Sequence, residues 1–190
     1  MNAQQPPTLA DYTQSELIIP QLATCATTTV VKELTDALYR QDGGMPRRLL
    51  LDSSLTALNR ELLTSRTRDL GAIFPQVRMA ALSQPRFALG RSSEPLPWLT
   101  RPFWPITLVF LVLEPENANA RFGQLVGTFR NLGRDQTRLE DLRRAATAGE
   151  LLAVLGQIPL MAVSEVLRLT PITPAPQPSP GTTSYRRWRR

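Results

Sequence analysis

ITLVFLVL, residues 106–113, is the longest apolar run in the chain. Its eight residues fall far short of the roughly 20 that a membrane-crossing helix needs. The run is rich in β-branched and aromatic side chains, as in a strand buried on both faces. Such a strand belongs in the interior of a sheet covered on each side. Before it, residues 86–90 (RFALG) read as another short strand, and the proline-rich residues 94–105 as the connection between the two. Residues 72–75 (AIFP) read as a third short strand that Pro75 terminates, after a loop over residues 64–70 with no apolar face.

Helical periodicity surrounds these strands. Thr27 and Thr28 precede Val30, Val31, Leu34 and Leu38 at helical spacing, and Gly43 and Gly44 supply a stop. From Arg48, apolar side chains recur at Leu51, Leu55, Leu58 and Leu62, one face of a second helix that ends near Leu63. Beyond the long strand, Phe122, Leu125, Phe129 and Leu132 mark a third helix, and a fourth starts at Asp135. Thr147 and Glu150 have the spacing of a capping box for a helix running through Leu155. Strands and helices in this order predict a three-layer α/β/α sandwich with a mixed central sheet.

Length and composition narrow the chemistry. With 190 residues and 42% hydrophobic content, the chain can bury one sizeable core. The expected organisation is a flexible N-terminus over residues 1–14, one domain over residues 15–157, a further helical segment over residues 158–170 and a flexible proline-rich tail over residues 171–190. The first seven residues have neither a basic end nor an apolar stretch, so no secretory signal is read and a cytoplasmic location is expected. The single Cys25 excludes an internal disulfide, and its apolar, threonine-rich surroundings predict a buried structural cysteine. The chain has no histidine. That removes the usual zinc spacings, the commonest general base and the usual nitrogen acceptor for phosphate. Neither a metal nor a cofactor is expected.

Residues 60–78 read RELLTSRTRDLGAIFPQVR. They follow, without a gap, the approximate pattern R-E-x-L-x-S-T-x-x-x-x-G-x-A-x-P-H-x-R, with Arg60, Glu61, Leu63, Ser65, Gly71, Pro75 and Arg78 in register. Together with Leu17, Ile18 and Ile19, and with residues 88–98 and 106–116 (ALGRSSEPLPW and ITLVFLVLEPE), this resembles the fructose and mannitol class of enzyme IIA of the sugar phosphotransferase system, including its nitrogen-regulatory branch. The resemblance covers about residues 15–157. In that family the motif histidine takes a phosphoryl group from the carrier HPr and passes it to the sugar-transporting subunit. Gln76 stands at that position here, and a carboxamide nitrogen, its lone pair delocalised into the carbonyl, is not a useful nucleophile. Two further departures accompany it. The family's second histidine corresponds to Arg121 or Phe122, and its threonine after the serine to Arg66.

The resemblance therefore implies a degenerate, phosphotransfer-incompetent relative with a remnant site at Arg60, Ser65, Arg66, Gln76 and Arg78. Arg60 is carried over as the residue beside the family's phosphohistidine. With Arg66, Arg68 and Arg78 close in sequence, the former pocket is expected to be cationic and to hold an anion or an acidic partner loop. The alternative is that these arginines are solvated surface charge. Ser65 has no base within sequence view and is not read as a nucleophile.

Charge is concentrated at the end of the chain. The net charge is +6, and four of those charges equal Arg186, Arg187, Arg189 and Arg190. With Trp188 they combine cations and an aromatic ring, a composition able to meet phosphates, bases or lipid headgroups; a merely solubilising terminus is the alternative. Three function classes stay open: a regulatory or scaffolding protein-interaction module with a phosphotransferase-system or regulatory partner, a tether that binds nucleic acid or an anionic surface through its tail, and a phosphoryl carrier with an unrecognised acceptor.

Overall fold

The structure is a computed structural model that describes residues 6–41, 44–64, 70–80, 82–98, 106–117 and 120–162. Its centre is β5 (Ile106–Pro115), the strand that the apolar run predicts. β5 pairs antiparallel with β4 (Arg86–Leu96) on one side, and parallel with β2 (Ala72–Ile73) and β3 (Gln76–Met79) on the other. β1 (Ile18–Ile19) extends the five-stranded sheet as a parallel partner of β4.

β5 lacks polar alternation because both its faces are buried. Val109, Leu111 and Leu113 enter one core, shared with Leu34 and Leu38 of α1 (Thr27–Gln41) and Leu58 and Leu62 of α2 (Arg47–Thr64). Leu108, Phe110 and Val112 enter the other, against α3 (Ala120–Leu132), α4 (Gln136–Arg144) and α5 (Ala148–Leu155). The fold is a three-layer α/β/α sandwich with a mixed sheet. In the second core, Phe110 stacks on Phe74 at 4.9 Å between centroids, and Phe129 meets Phe87 edge-on at 5.2 Å, geometries that the ring quadrupole favours.

Local chemistry sets the element ends. The Asp135 carboxylate accepts the Arg138 amide at the start of α4, and Thr147 and Glu150 form the predicted capping box of α5. Gly71 enters β2 with φ at 77°, a left-handed conformation that disfavours a side chain. At Gly90 the reason is space: a Cβ there would lie 2.9 Å from Leu22 Cδ2.

The structure corrects four expectations. β4 continues through Leu96, so the connection starts later than residue 94; a register shift between Arg91 and Leu96 accommodates Pro95 in the irregular part. The N-terminal segment is not loose throughout: Leu9 is wholly buried, and backbone bonds from Leu9 N to Ile158 O (3.0 Å) and Leu160 N to Pro7 O (2.8 Å) fix it. Residues 158–162 are accordingly non-helical, and Thr8 forms an antiparallel bridge with Pro159. Cys25 is exposed. The chain there is held through backbone, the Cys25 carbonyl accepting the Trp98 indole N–H at 2.6 Å. The rest of the predicted helical segment, residues 163–170, and the tail, residues 171–190, lie outside the described residues. No helix among the described residues is long and apolar enough to cross a membrane.

Candidate functional site

A groove follows one edge of the sheet. Among the described residues β3 has β5 as its only strand partner. Just before β3, the Pro75 carbonyl faces β5 and accepts the Val112 N–H at 2.9 Å. Successive residues of a strand turn their peptide groups to opposite sides, so Gln76 and Arg78 present theirs outward. The Gln76 carbonyl is met there by Arg60 Nη2 at 3.3 Å.

Along this edge runs a cleft of about 690 Å³, lined by Asp52, Thr56 and Arg60 of α2, Gln76 and Arg78 of β3 and Glu114 of β5. Asp52, Thr56 and Arg60 are four residues apart and so share one helical face. Two exposed leucines of the same helix, Leu49 (54% exposed) and Leu63 (77%), stand at that face's spacing.

The described cleft carries charges of both signs. Arg78 donates to Glu114 Oε1 at 3.1 Å, the carboxylate nearly buried and the guanidinium largely exposed. Asp52 makes a loose contact with Arg48 at 3.8 Å. Glu114 thus pairs with Arg78 and Asp52 with Arg48, while the expected contributions of Arg66 and Arg68 lie outside the described residues. Arg60 differs from Arg78 in having, among the described residues, only a neutral oxygen as partner.

Of the sequence-predicted residues, Arg60, Gln76 and Arg78 come together in this cleft. Ser65 and Arg66 lie outside the described residues, as do Arg68 and the tail residues Arg186, Arg187, Trp188, Arg189 and Arg190. Arg121 instead contacts Gln84 (3.4 Å) near a different cavity, and Phe122 is buried. Sequence reasoning missed Asp52, Thr56 and Glu114. Glu114 carries a usable signal, being the carboxylate that directly follows the longest apolar run; Asp52 and Thr56 precede that strand by about 50 residues.

The described lining offers two hydroxyls but no ring nitrogen. One of them, Thr56 Oγ1, donates to the Asp52 backbone carbonyl at 3.0 Å. Among the described residues no group of three His, Cys, Asp or Glu is placed to hold a metal ion.

At the other end of β5, two arginines tie the layers together. Arg91 of β4 donates to the Arg143 carbonyl (2.7 Å) and the Pro20 carbonyl (3.0 Å). The Arg143 guanidinium crosses to Thr107 Oγ1 (3.0 Å) and to the Leu70 carbonyl, where the chain enters Gly71 and β2. Burial lowers the Arg143 pKa, an effect that the charge of Glu140 opposes.

The architecture is the enzyme IIA type 2 fold. Nitrogen regulatory protein IIA-Ntr from Neisseria meningitidis shares it with a TM-score of 0.63 at 22% identity, the match covering 77% of this chain and 98% of that one. IIA mannitol from Escherichia coli matches with a TM-score of 0.56 at 16% identity, over 75% of this chain and 97% of its own. The same IIA in complex with phosphorylated enzyme IIB mannitol matches with a TM-score of 0.57 at 16% identity, over 76% of this chain and 96% of that one. At these identities the likeness establishes the fold. No family model matches the sequence, and no curated protein does.

Proposed function

We infer that the chain is an enzyme IIA-like protein that does not transfer phosphate and acts in the cytoplasm as a regulatory or scaffolding module, binding a protein partner at the α2–β3 cleft. The observation that carries this reading is Gln76. It lies in the cleft beside Arg60, at the position where the family resemblance places the phosphate-accepting histidine, in a chain with no histidine at all. Gln76 keeps the cleft's polarity and removes its nucleophile. Protein binding is supported by the exposed leucines flanking the cleft and by the solved complex of a similarly folded IIA with its IIB partner. The remnant site would comprise Arg60, Gln76 and Arg78 with Ser65 and Arg66.

Incubation with radiolabelled phospho-HPr tests the first half. No acid-labile phosphate should appear on the chain, and Gln76→His should restore little or none, since Arg66 and the residue at 121 or 122 also depart from the family pattern. Efficient labelling of the unaltered protein overturns the reading and favours a carrier with an unrecognised acceptor. Titration with unphosphorylated HPr and with a IIB domain tests the second half: saturable binding that Arg60→Glu weakens supports the module.

The composition of residues 186–190 favours a second reading, in which the tail tethers the domain to nucleic acid or an anionic membrane.

A further inference from the structure

The outward edge of β3 is a row of backbone hydrogen-bonding groups with no strand beside it among the described residues. Gln76 and Arg78 each direct an N–H and a C=O away from β5. These groups repeat at the roughly 6.8 Å spacing of every second strand residue. The cleft lies along them, with α2 as its opposite wall. A sheet edge beside a helix is the geometry in which an extended peptide adds as a new strand.

The charges specify the peptide. Arg60 closes the edge by donating to the Gln76 carbonyl at 3.3 Å, a long bond to a neutral acceptor. A carboxylate is the stronger partner for a guanidinium. Carried on an added strand, it would draw Arg60 off that carbonyl and leave the carbonyl for a backbone N–H of the same strand. Leu63, 77% exposed and three residues beyond Arg60, offers an apolar contact for a neighbouring side chain. A second copy of β3 is a poorer occupant, because edge-to-edge pairing sets Arg60 and Arg78 against their own counterparts, and like charges across a ladder repel.

We propose that the cleft takes up an extended acidic segment of a partner protein as an additional strand on the outer edge of β3, gated by Arg60. This rests on the partner-binding reading above and specifies how the partner is held.

The probe is a fluorescein-labelled octapeptide of alternating valine and glutamate, titrated by anisotropy against the full chain. Saturable binding is expected, weakened about tenfold or more when glutamine replaces glutamate. The decisive comparison uses two N-methylated versions, methylated at the odd or at the even amides. Strand addition predicts that one pattern loses at least tenfold more affinity than the other, because only alternate amides face β3. Equal loss from both patterns, or no saturable binding of the parent peptide, overturns the proposal. Arg78→Pro gives an independent test. The Arg78 N–H points away from β5, so proline there removes no ladder bond but blocks the outer edge. Because it also removes the Arg78–Glu114 ion pair, it is read against Arg78→Ala. Peptide binding should be lost in the proline variant and largely kept in the alanine variant, while both still show a melting transition. Should the proline variant not fold, the methylated pair still decides. A concentration-dependent dimer without peptide binding assigns the edge to a second copy and refutes the proposal. An intact IIB domain that binds the parent chain and the folded Arg78→Pro variant equally refutes strand addition and leaves the partner-binding reading standing.

Discussion

Arg143→Met removes the guanidinium that joins α4 to the start of β5 while keeping most of the side chain's volume. Two hydrogen bonds from a cation are lost, to Thr107 Oγ1 and to the Leu70 carbonyl. Bonds involving a charged group contribute roughly 1.5–3 kcal/mol each. Arg143 is only partly buried and Thr107 Oγ1 retains a long contact to the Gly71 carbonyl at 3.5 Å, so the low end of that range applies. The expected loss is about 2–3 kcal/mol, with Leu70 as the orphaned acceptor. For a domain of this size each kcal/mol moves Tm by about 2–4 °C, so Tm should fall by about 4–12 °C, with a lower urea midpoint at unchanged slope. Arg143→Lys carries its donors on a single nitrogen, where Arg143 reaches the two acceptors through Nε and Nη2, and should recover no more than about half of the loss. Arg91 donates to the Arg143 carbonyl, so the two residues belong to one network, and Arg91→Met with Arg143→Met should depart from additivity by about 0.5 kcal/mol or more. A methionine variant melting within about 1 °C of the parent, or full recovery by lysine, refutes the account.

Phe129→Ala empties the centre of the aromatic cluster, where Phe129 is 1% exposed and within 5.4 Å of the Phe74, Phe87 and Phe110 rings; urea unfolding should show a loss of about 3–5 kcal/mol. Gly90→Val forces a branched side chain onto Leu22 and should cost about 1–3 kcal/mol by the same measurement. The Glu150 carboxylate accepts the Ala146 and Thr147 amides at 2.7 and 3.2 Å, which hold its pKa below the ordinary glutamate value. A depressed folded-state pKa gives stability that is present above the ordinary value of about 4.3 and lost as pH falls through the lowered one. The Tm deficit of Glu150→Gln at about pH 7 should therefore shrink as pH falls below the ordinary glutamate value, and a deficit independent of pH contradicts it. Deleting residues 171–190 should abolish a weak affinity for single-stranded nucleic acid whose log–log salt slope is no steeper than about −4, one unit per terminal arginine; equal binding by both forms dismisses the tether.

What could be read from the sequence was local. The helical faces of α1 to α3, the Asp135 cap and the Thr147–Glu150 box all depend on residues three or four apart, and the apolar run of β5 announces its own burial. β3 was missed because four residues with only Val77 and Met79 buried give too short an alternation to separate from a loop. Leu9 shows no periodicity at all, its partners lying about 150 residues further along. In the cleft, the family pattern pointed to Arg60, Gln76 and Arg78, which the fold gathers across a span of 18 residues. Composition near the motif suggested positive charge; Glu114, 36 residues beyond Arg78, pairs with that one arginine, and Arg66 and Arg68 lie outside the described residues. Arg91 and Arg143 left no trace in the sequence because their acceptors are carbonyls and a hydroxyl supplied by distant segments.

The bridge between Thr8 and Pro159 also has a mechanical meaning. Its two backbone bonds, Leu9 to Ile158 and Leu160 to Pro7, belong to an antiparallel pair, so the chain leaves both halves of the bridge at the same end. Tension applied through the flanking segments opens such a pair one bond at a time, as a zipper, and never loads its bonds together in shear. Pulled by its ends, this domain should yield first at the bridge, at low force, releasing Leu9 and the 3-10 turn that it begins (Leu9–Tyr12) while the β4–β5 ladder is still intact.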